Sequence, residues 1–404
     1  MLNQVQHDKG RVVQISVRAK RLTSISVEGE PFKIKNKQNL NNVVFTASHM
    51  VRVWYHECMI TVIIAGGSGT RLWPLSTPDY PKHLLRINGD SKSLLQNTYK
   101  RAKQMSDKIY IVTDDSHAQH IRQQLPDLTD DACIVEPARR GTANCIINAL
   151  AHLHGKHDED EPVAFLHADH YVRDIRGFVH SLRIAGDVSK EHGRIVLIGI
   201  EPSYPADCFG YIQKDKVFDE GRFVFTVDSF KEKPEYDLAL EYFKSGDYLW
   251  NAGYFVGSLG TFKRSMQSYA PKLYAQYQKL LDAKSVAARK DVYLSFKNEA
   301  IDYALLENAD DLLVVPAAFD WMDLGSYGDL HKAVDSDKQG NHTFGSRIEI
   351  EGVENSFIQN HEDKPVAVIG LDNVVVINSP NGILVARKDL AQKVGEVSKR
   401  ISKK

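Results

Sequence analysis

The sequence has little cysteine, no long hydrophobic run and no excess of charge of either sign. Its 404 residues include only four cysteines, none of them in a C-x-x-C pair, which argues against a zinc ribbon and against a disulfide scaffold. Because low cysteine usage fits a reducing compartment, we expect a cytoplasmic protein. No stretch approaches the ~18 apolar residues that a membrane span requires, and the N-terminus lacks the apolar core of a secretory signal.

The charges are balanced over the whole chain but not along it. The 51 Lys and Arg residues nearly equal the 52 Asp and Glu residues, so no overall field attracts nucleic acid. Neither nucleic acid nor a membrane is therefore expected as a partner. Residues 1–58, however, hold nine basic and four acidic side chains and show only weak strand-like alternation. We predict that they form a poorly ordered or peripheral N-terminal extension, with a boundary near Met59.

From Met59 onward, short apolar runs alternate with amphipathic stretches. The runs are typical of buried strands and the stretches have the spacing of helices. In chain order they predict strand 59–65, helix 94–105, strand 108–114, helix 116–125, strand 132–137, helix 142–155, strand 162–169, helix 178–192 and strand 194–200. This alternation predicts an α/β fold, in which a parallel sheet is covered on both faces and binds ligands at the carboxyl ends of its strands.

Beyond residue 200 the pattern changes twice. The spacing first loosens into an inserted lobe, with predicted strands at 211–213, 222–230 and 312–319 and predicted helices at 235–245 and 298–307. From Phe344 onward, short strands separated by turn signals predict a small all-β module with a final helix over 389–401.

The strongest chemical signal follows the first predicted strand. Gly66, Gly67 and Gly69 lie within four residues, Arg71 follows them, and Lys82 comes after a proline-rich loop. Glycines let backbone N–H groups approach a phosphate chain that a Cβ would obstruct, and an arginine offers phosphate a bidentate fork. The pattern is neither a Walker A loop nor the dinucleotide G-x-G-x-x-G. We predict a triphosphate-binding loop, because a plain glycine-rich turn would not explain the arginine and the lysine.

A candidate metal ligand ends one of the predicted strands. Asp169 closes the apolar run 162–169, so its carboxylate should emerge at the sheet edge where phosphates are expected. Mg²⁺ prefers oxygen ligands and usually takes one or two protein carboxylates together with phosphates and water. We interpret the flanking His167 and His170 as inert or merely adjacent to the metal site, since their spacing differs from the H-E-x-x-H pattern of zinc enzymes.

Together with further motifs, these segments resemble the signature of sugar-nucleotide pyrophosphorylases. GGSGTRLWPLS (66–76) with the later Pro-Lys resembles the nucleotide-binding motif of that family, and its Trp73 resembles the mannose-1-phosphate guanylyltransferases in particular. The other matching segments, in order, are EPARRGTAN (136–144), HADH (167–170), FGYI (209–212), FKEKP (230–234), WNAG (250–253) and FDWMDLGS (319–326). The resemblance covers residues 59–400.

The resemblance implies a nucleotide site and a set of cations around the transferred phosphate. The implied nucleotide-binding residues are Ala65, Gly66, Gly67, Gly69 and Thr70 on the phosphate side, and Glu136, Arg140, Thr142 and Ala143 on the base side. The implied catalytic cations are Arg71, Lys82 and Lys233. The family usually has Asn where Gly141 stands and Pro where Asn144 stands, which leaves the choice of base open.

The resemblance also implies a sugar site, a metal site and a reaction. The implied sugar-binding residues are Gly210, Tyr211, Glu232, Asn251 and Gly253, and the implied Mg²⁺ ligands are Asp169 and Asp323. GTP and mannose 1-phosphate would react to GDP-mannose and pyrophosphate. The implied fold is a Rossmann-like, GT-A-like nucleotidyltransferase with a mixed sheet over 59–340, followed by a β module over 341–404 for which a left-handed β-helix is one form.

Other functions remain open from the sequence. The nearest is a pyrophosphorylase for another nucleoside triphosphate and hexose 1-phosphate pair. A non-catalytic sugar-nucleotide sensor would be favoured by loss of Arg71, Lys82 or Asp169, but all three are present. A glycosyltransferase could share the nucleotide sheet and a metal aspartate without needing the Arg71 and Lys82 pair. The family resemblance also suggests a homo-oligomer formed through the β module, whereas the isomerase activity of some relatives, carried on a further domain, is not expected here.

Overall fold

The chain forms two compact units. The computed structural model describes residues 25–27, 30–32, 51–52, 59–67, 69–87 and 91–401. Contacts divide the chain into Met1–Glu57 and Cys58–Lys404. Most of the predicted N-terminal extension lies outside the described residues, so its poorly ordered or peripheral character stays a prediction.

The first unit contains a small antiparallel sheet. Its strands are β1 (Ile25–Val27), β2 (Glu30–Phe32) and β3 (Val51–Arg52), in the order β2-β1-β3.

The second unit is built on a nine-stranded mixed sheet. The strands from Met59 to residue 323 are β4 (Ile60–Ala65), β5 (Lys108–Asp114), β6 (Cys133–Glu136), β7 (Pro162–His167), β8 (His170–Tyr171), β9 (Val196–Ile200), β10 (Tyr211–Asp219), β11 (Val224–Lys231), β12 (Tyr248–Ser258), β13 (Leu313–Pro316) and β14 (Met322–Asp323). The order across the sheet is β10-β11-β13-β9-β12-β7-β4-β5-β6, and β8 pairs separately with β14.

Helices cover both faces of this sheet. They are α1 (Leu94–Ala102), α2 (Asp115–Gln124), α3 (Gly141–Leu153), α4 (Ile175–His192), α5 (Tyr236–Ser245), α6 (Leu259–Tyr269), α7 (Pro271–Asp282), α8 (Val286–Leu294), α9 (Ile301–Ala304), α10 (Tyr327–Ala333) and α11 (Val394–Ile401). Successive residues of β4 point to opposite faces. Val62 therefore joins the buried cluster under α3, and Ile63 joins the cluster under α1 and α4. The predicted α/β class with two helical layers is confirmed.

The sheet is mixed because β11 and β12 run antiparallel to their neighbours. β4 pairs in parallel with β5 and β7, whereas β12 lies antiparallel between β7 and β9. The sequence of β12 includes Asn251 and Gly253, two of the implied sugar-binding residues. The register of β12 against β9 shifts between Asn251 and Phe255, and Gly253 has a φ of 70°. These residues thus make a bulge inside a strand. The mixed sheet that the family resemblance implies is confirmed.

The C-terminal region is a coil of short parallel strands. Its strands are β15 (His342–Gly345), β16 (Ile348–Glu351), β17 (Phe357–Asn360), β18 (Val366–Ile369), β19 (Val374–Ser379) and β20 (Gly382–Arg387). β15, β17 and β19 pair in parallel, as do β16 and β18. β20 pairs antiparallel with β19 and ends the sheet that β15, β17 and β19 form. The predicted final helix begins as a 3₁₀ turn over Lys388–Lys393 and continues as α11.

This β module shares a core with the rest of the second unit. A single buried cluster includes Leu72 near the glycine-rich loop, Tyr327 of α10, Phe357 of β17 and Val394 of α11. The predicted boundary near residue 340 stays a prediction. Among the described residues, no helix is both long enough and apolar enough to cross a membrane.

Candidate active site

The glycine-rich loop after β4 lines a cavity of about 170 Å³. Gly69 has a φ of 58°, and a Cβ at this position would lie 2.6 Å from the backbone nitrogen of Lys82. Only glycine fits at position 69, because a side chain there would collide with the backbone of Pro81 and Lys82. The hydroxyl of Ser76 donates a hydrogen bond to the Gly69 carbonyl and closes the loop. The predicted triphosphate residues that line this cavity are Gly66, Gly67, Gly69, Thr70, Arg71 and Lys82.

Arg71 is exposed at the wall of this cavity. Its guanidinium has no hydrogen-bond or ion-pair partner among the residues that the structure describes. An arginine offers five N–H donors in a planar fork. The group therefore keeps its full capacity to bind a phosphate chain in the cavity.

Lys82 joins the two predicted metal ligands. Its Nζ lies 2.8 Å from Oδ2 of Asp169 and 2.7 Å from Oδ1 of Asp323. Asp169 follows β7 and Asp323 ends β14, so the pairing of β8 with β14 brings the two carboxylates together. Both aspartates therefore contact the same ammonium group, that of Lys82.

The charges of this cluster shift one another's pKa values. Burial alone would lower the pKa of Lys82, but the two carboxylates outweigh it and raise the pKa above its usual value. Burial alone would raise the pKa of Asp169 and of Asp323, but Lys82 lowers both. All three groups are therefore charged near neutral pH, and two adjacent carboxylates are the oxygen ligands that suit Mg²⁺. The residues present fit such an ion.

His167 and His170 extend this cluster. Ligand atoms of His167, Asp169 and His170 all lie within 4.8 Å of one another. Burial lowers the pKa of His167, and burial together with His167 lowers the pKa of His170 to about 3. The indole Nε1 of Trp321 donates a 3.1 Å hydrogen bond to Nδ1 of His170. Both imidazoles are thus neutral at pH 7, and one nitrogen of His170 is already engaged. The idea that they are inert or merely adjacent stays a prediction.

A second cavity, of about 260 Å³, lies on the other side of the aspartates. Gly210, Glu232, Lys233, Asn251 and Gly253, predicted as sugar or catalytic residues, line it together with Asp323. The side chains of Lys233 and Glu232 form an ion pair, and Nδ2 of Asn251 donates to Asp302 over 3.1 Å. Tyr211, the remaining predicted sugar residue, has a fully buried side chain that packs against Tyr242 and Tyr248.

Asp302 is a functional candidate that the sequence analysis did not find. It lines the second cavity beside Glu232 and Asn251. Burial, with a further contribution from Glu232, raises the pKa of Asp302 to about 7. The sequence around Asp302, in the first turn of α9, gave no sign of this role, because its partners lie just after β11 and on β12.

Two of the predicted base-side residues contact the end of α8. Glu136 is buried, and the hydroxyl of Tyr293 donates to its carboxylate. Burial raises the pKa of Glu136 to about 7, although the Tyr293 hydrogen bond acts in the opposite direction. Arg140 Nη2 donates to the Leu294 carbonyl over 3.0 Å.

The start of α3 is covered by the segment 297–301. The Ala143 N–H donates to the Glu299 carbonyl over 3.1 Å, and the Thr142 hydroxyl accepts from the Ile301 N–H over 3.0 Å. Thr142 also lines the second cavity. The structure thus brings Thr142 next to the predicted sugar residues.

A larger cavity, of about 560 Å³, lies away from these groups. It is lined by the start of β5 and by residues 127–132, at the end of the sheet opposite the aspartates. Ligands of such sheets bind at the carboxyl ends of the strands. The two smaller cavities therefore form the candidate active site.

Comparisons with known proteins agree with this geometry. The family model described as nucleotidyl transferase matches residues 60–340, and the one described as a MannoseP isomerase/GMP-like β-helix domain matches residues 345–401. The chain therefore belongs to the nucleotidyl transferase family.

Several of the similar proteins are named mannose-1-phosphate guanylyltransferases. The chain is 32% identical over 347 residues to the mannose-1-phosphate guanylyltransferase RfbM of Salmonella typhimurium, covering 84% of this chain and 71% of that protein. It is 32% identical over 350 residues to one from Escherichia coli, covering 84% and 75%. A crystal structure from Thermus thermophilus, described as a mannose-1-phosphate geranyltransferase, gives a TM-score of 0.75 at 29% identity and covers 85% of this chain and 99% of that chain.

Proposed function

We propose that the protein transfers the guanylyl group of GTP to α-D-mannose 1-phosphate and thereby forms GDP-mannose and pyrophosphate. The observation that carries the proposal is the meeting of two cavities at one charged cluster. The residues proposed for the triphosphate, except Ala65, line the first cavity, and the residues proposed for the sugar, except Tyr211, line the second. Lys82, Asp169 and Asp323 lie between the two. Such a reaction needs two bound anions to meet at one point, and the names of the relatives support the choice of substrates.

In the proposed mechanism, a phosphate oxygen of mannose 1-phosphate attacks the α-phosphorus of GTP in line. The new P–O bond forms as the bond to the β-phosphate breaks, and pyrophosphate leaves with the electron pair. The nucleophile is already ionised, so no general base is required. Catalysis then consists of positioning two anions and neutralising their charge.

Each cation of the site has a proposed task. Arg71 would hold the triphosphate in the first cavity, and Lys233 would hold the sugar phosphate in the second. Lys82 lies at the junction and would neutralise the charge that develops between them. Asp169 and Asp323 would hold Mg²⁺, which when bound polarises phosphoryl oxygens and offsets their charge.

Sugar recognition is proposed for the polar groups of the second cavity. Glu232 accepts hydrogen bonds only, and Asn251 can both donate and accept, so this pair suits the hydroxyls of a hexose. Gly210 leaves room there, because a Cβ on it would lie 2.6 Å from Oε2 of Glu232. On the base side, Glu136, Arg140, Thr142 and Ala143 are proposed to face guanine. We place the reaction in the cytoplasm, and a homo-oligomer stays a proposal.

The decisive experiment measures pyrophosphate release from the purified full chain. GTP with mannose 1-phosphate should give turnover that depends on Mg²⁺ and stops with excess chelator. The same assay with ATP, CTP and UTP, and with glucose 1-phosphate and galactose 1-phosphate, tests the pyrophosphorylases of other specificity. Binding without turnover for every pair would instead indicate a sensor, and transfer of the sugar from GDP-mannose would indicate a glycosyltransferase.

A further inference from the structure

We propose that the C-terminal helix α11 is part of the nucleotide site, because Gly395 on that helix holds the side chain of Arg71 in its working position. This inference rests on the proposed function, in which Arg71 binds the triphosphate. It makes Gly395 a positioning residue and gives the β module a part in the reaction.

The side chain of Arg71 lies in a slot between two glycines. A Cβ on Gly395 would lie 3.0 Å from Cγ of Arg71 and 3.6 Å from its Cα. A Cβ on Gly325 would lie 3.2 Å from Nη1 of Arg71 and 3.7 Å from its Cζ. The helix therefore touches the aliphatic stem of the arginine, and the segment after Asp323 touches its guanidinium.

The close approach of Gly325 and Gly395 limits the directions in which the Arg71 guanidinium can point. No hydrogen bond or ion pair joins Arg71 to another residue in the described part of the chain. An arginine side chain has large rotamer freedom, which must be lost when it binds a ligand. Because polar contacts do not restrict Arg71, the close approach of Gly325 and Gly395 is what restricts it before a phosphate arrives.

The helix is itself fixed to the segment that follows Arg71. Val394 shares a buried cluster with Leu72. Helix α11 also packs directly on the turn Thr70–Leu72. The neighbouring helix α10 holds the same segment, because the buried hydroxyl of Tyr327 donates to the carbonyls of Leu72 and Trp73, over 2.8 and 3.1 Å. A shift of α11 would therefore be felt directly at the glycine-rich loop.

The β module holds the same segment from a second side. Nδ2 of Asn381 donates to the carbonyl of Pro74 over 3.1 Å, and Oγ of Ser379 donates to the same carbonyl over 3.2 Å. A Cβ on Gly382 would lie 2.7 Å from the ring of Trp73. The turn between β19 and β20 thus packs on the indole, two residues after Arg71.

Glycine is an unexpected residue inside α11 unless it has a packing role. It is less favourable than alanine in a helix interior, because it loses more backbone freedom on folding. Gly395 is buried in the first turn of α11, where the preceding 3₁₀ turn continues directly into the helix. The approach of Arg71 supplies the reason, since any side chain here would displace the arginine stem.

The test is Gly395→Ala, measured as initial rates of pyrophosphate release with GTP and mannose 1-phosphate varied in turn. We expect the KM for GTP to rise about 10-fold, because a misplacement of about 1 Å can cost ~10²-fold and the added methyl group requires a smaller shift. The KM for mannose 1-phosphate should stay within about twofold, since no residue of this helix lines the second cavity. The matched control is Glu396→Ala, at the exposed neighbouring position, which should leave both constants unchanged.

A double variant separates this inference from the proposed function. If the methyl group acts through Arg71, adding Gly395→Ala to Arg71→Ala should cause no further rise in the KM for GTP. Equal KM changes for both substrates, no change at all, or a full additional loss in the Arg71→Ala background would overturn the inference. A normal KM and rate for Arg71→Ala alone would instead reject the role of Arg71 in the proposed function.

Folding is measured in the same series by thermal unfolding. If Gly395→Ala alone is unstable because of the contact with Arg71, the double variant should recover stability. Instability that persists when the Arg71 stem is removed would show that another contact of residue 395 matters, and would equally overturn the inference.

Discussion

The ammonium of Lys82 lies 2.7 Å from the carboxylate of Asp323, although 241 residues separate them in the chain. The same ammonium lies 2.8 Å from Asp169. The lysine thus provides a positive charge that both aspartates share. A divalent cation that binds this pair has to compete with Lys82.

Replacing Lys82 should therefore lower activity while raising metal affinity. Lys82→Met keeps the volume but leaves two partly buried carboxylates without their cation. We expect turnover to fall by ~10²–10³, the cost of removing one charge-neutralising group. Without nucleotide, Mn²⁺ should bind more tightly than to the wild type, because the internal competitor is gone. Pyrophosphate release and electron paramagnetic resonance of Mn²⁺ measure the two effects. Lys263→Met, at a 3.8 Å surface ion pair, is the control, and an unchanged Mn²⁺ affinity would contradict the competition.

Arg71 and Lys233 should differ in the substrate that they affect. Arg71→Ala should mainly raise the KM for GTP, and Lys233→Ala should mainly raise the KM for mannose 1-phosphate, since the two residues line different cavities. Each should reduce kcat/KM by ~10²–10³. Steady-state kinetics with each substrate varied in turn provides the measurement. Turnover within a few-fold of wild type for both variants would reject both roles.

Asp302 should make stability depend on pH near neutrality. Its pKa is raised to about 7 in the folded protein, against ~4 in an unfolded chain. A carboxyl with a raised folded pKa contributes stability that is present at low pH and lost as the pH rises through about 7. Asp302→Asn stays neutral and can still accept the hydrogen bond from Asn251.

We therefore expect the Tm of Asp302→Asn, relative to wild type, to be higher at pH 8 than at pH 5.5 by roughly 2–4 °C, the shift that about 1 kcal/mol produces in a domain of this size. Calorimetry at both pH values measures it, and the exposed Asp237→Asn serves as the control. A Tm difference that is the same at both pH values would argue against a raised pKa.

Tyr293 should influence the choice of base through Glu136. Its hydroxyl hydrogen bond lowers the pKa of the Glu136 carboxyl, which burial otherwise raises. In Tyr293→Phe the pKa should therefore rise further, and the carboxyl should be neutral over more of the physiological range. If the charged carboxylate recognises guanine, the ratio of kcat/KM for GTP to that for ATP should fall by about 10-fold. Tyr274→Phe, which removes a hydroxyl contact to Gln278, is the matched control. An unchanged ratio of the two kcat/KM values would show that the charge of Glu136 does not determine the choice of base.

The half of the fold nearest the glycine-rich loop could be predicted in detail from the sequence. Buried parallel strands are continuous apolar runs, and the predicted strand 108–114 coincides with β5. The helix predicted over 116–125 is shifted from α2 by a single residue at each end. Local patterns were sufficient here because each element satisfies its own periodicity.

The sugar-side half was harder to predict. β12 carries Asn251 and Gly253 in its interior, and its bulge needs neighbouring strands that local sequence does not reveal. Helices α6, α7 and α8 were missed, although Ser258 as a cap and Pro271 at the first position of α7 were available signals. Motif resemblance brought Asp169 and Asp323 to one site, whereas the bridging position of Lys82 and the role of Asp302 needed the folded chain.

The buried cluster that joins Leu72 and Tyr327 to Phe357 and Val394 has a practical consequence for recombining such enzymes. A protein cut at residue 340 would expose Leu72 and Tyr327 to water. It would also remove Gly382 and its neighbours, which pack on the ring of Trp73. Chimeras that exchange the β-helix between two relatives should therefore exchange residues 70–76 with it. The exchanged part should therefore be chosen by this shared apolar surface, and not by the boundary between the two family matches near residue 340.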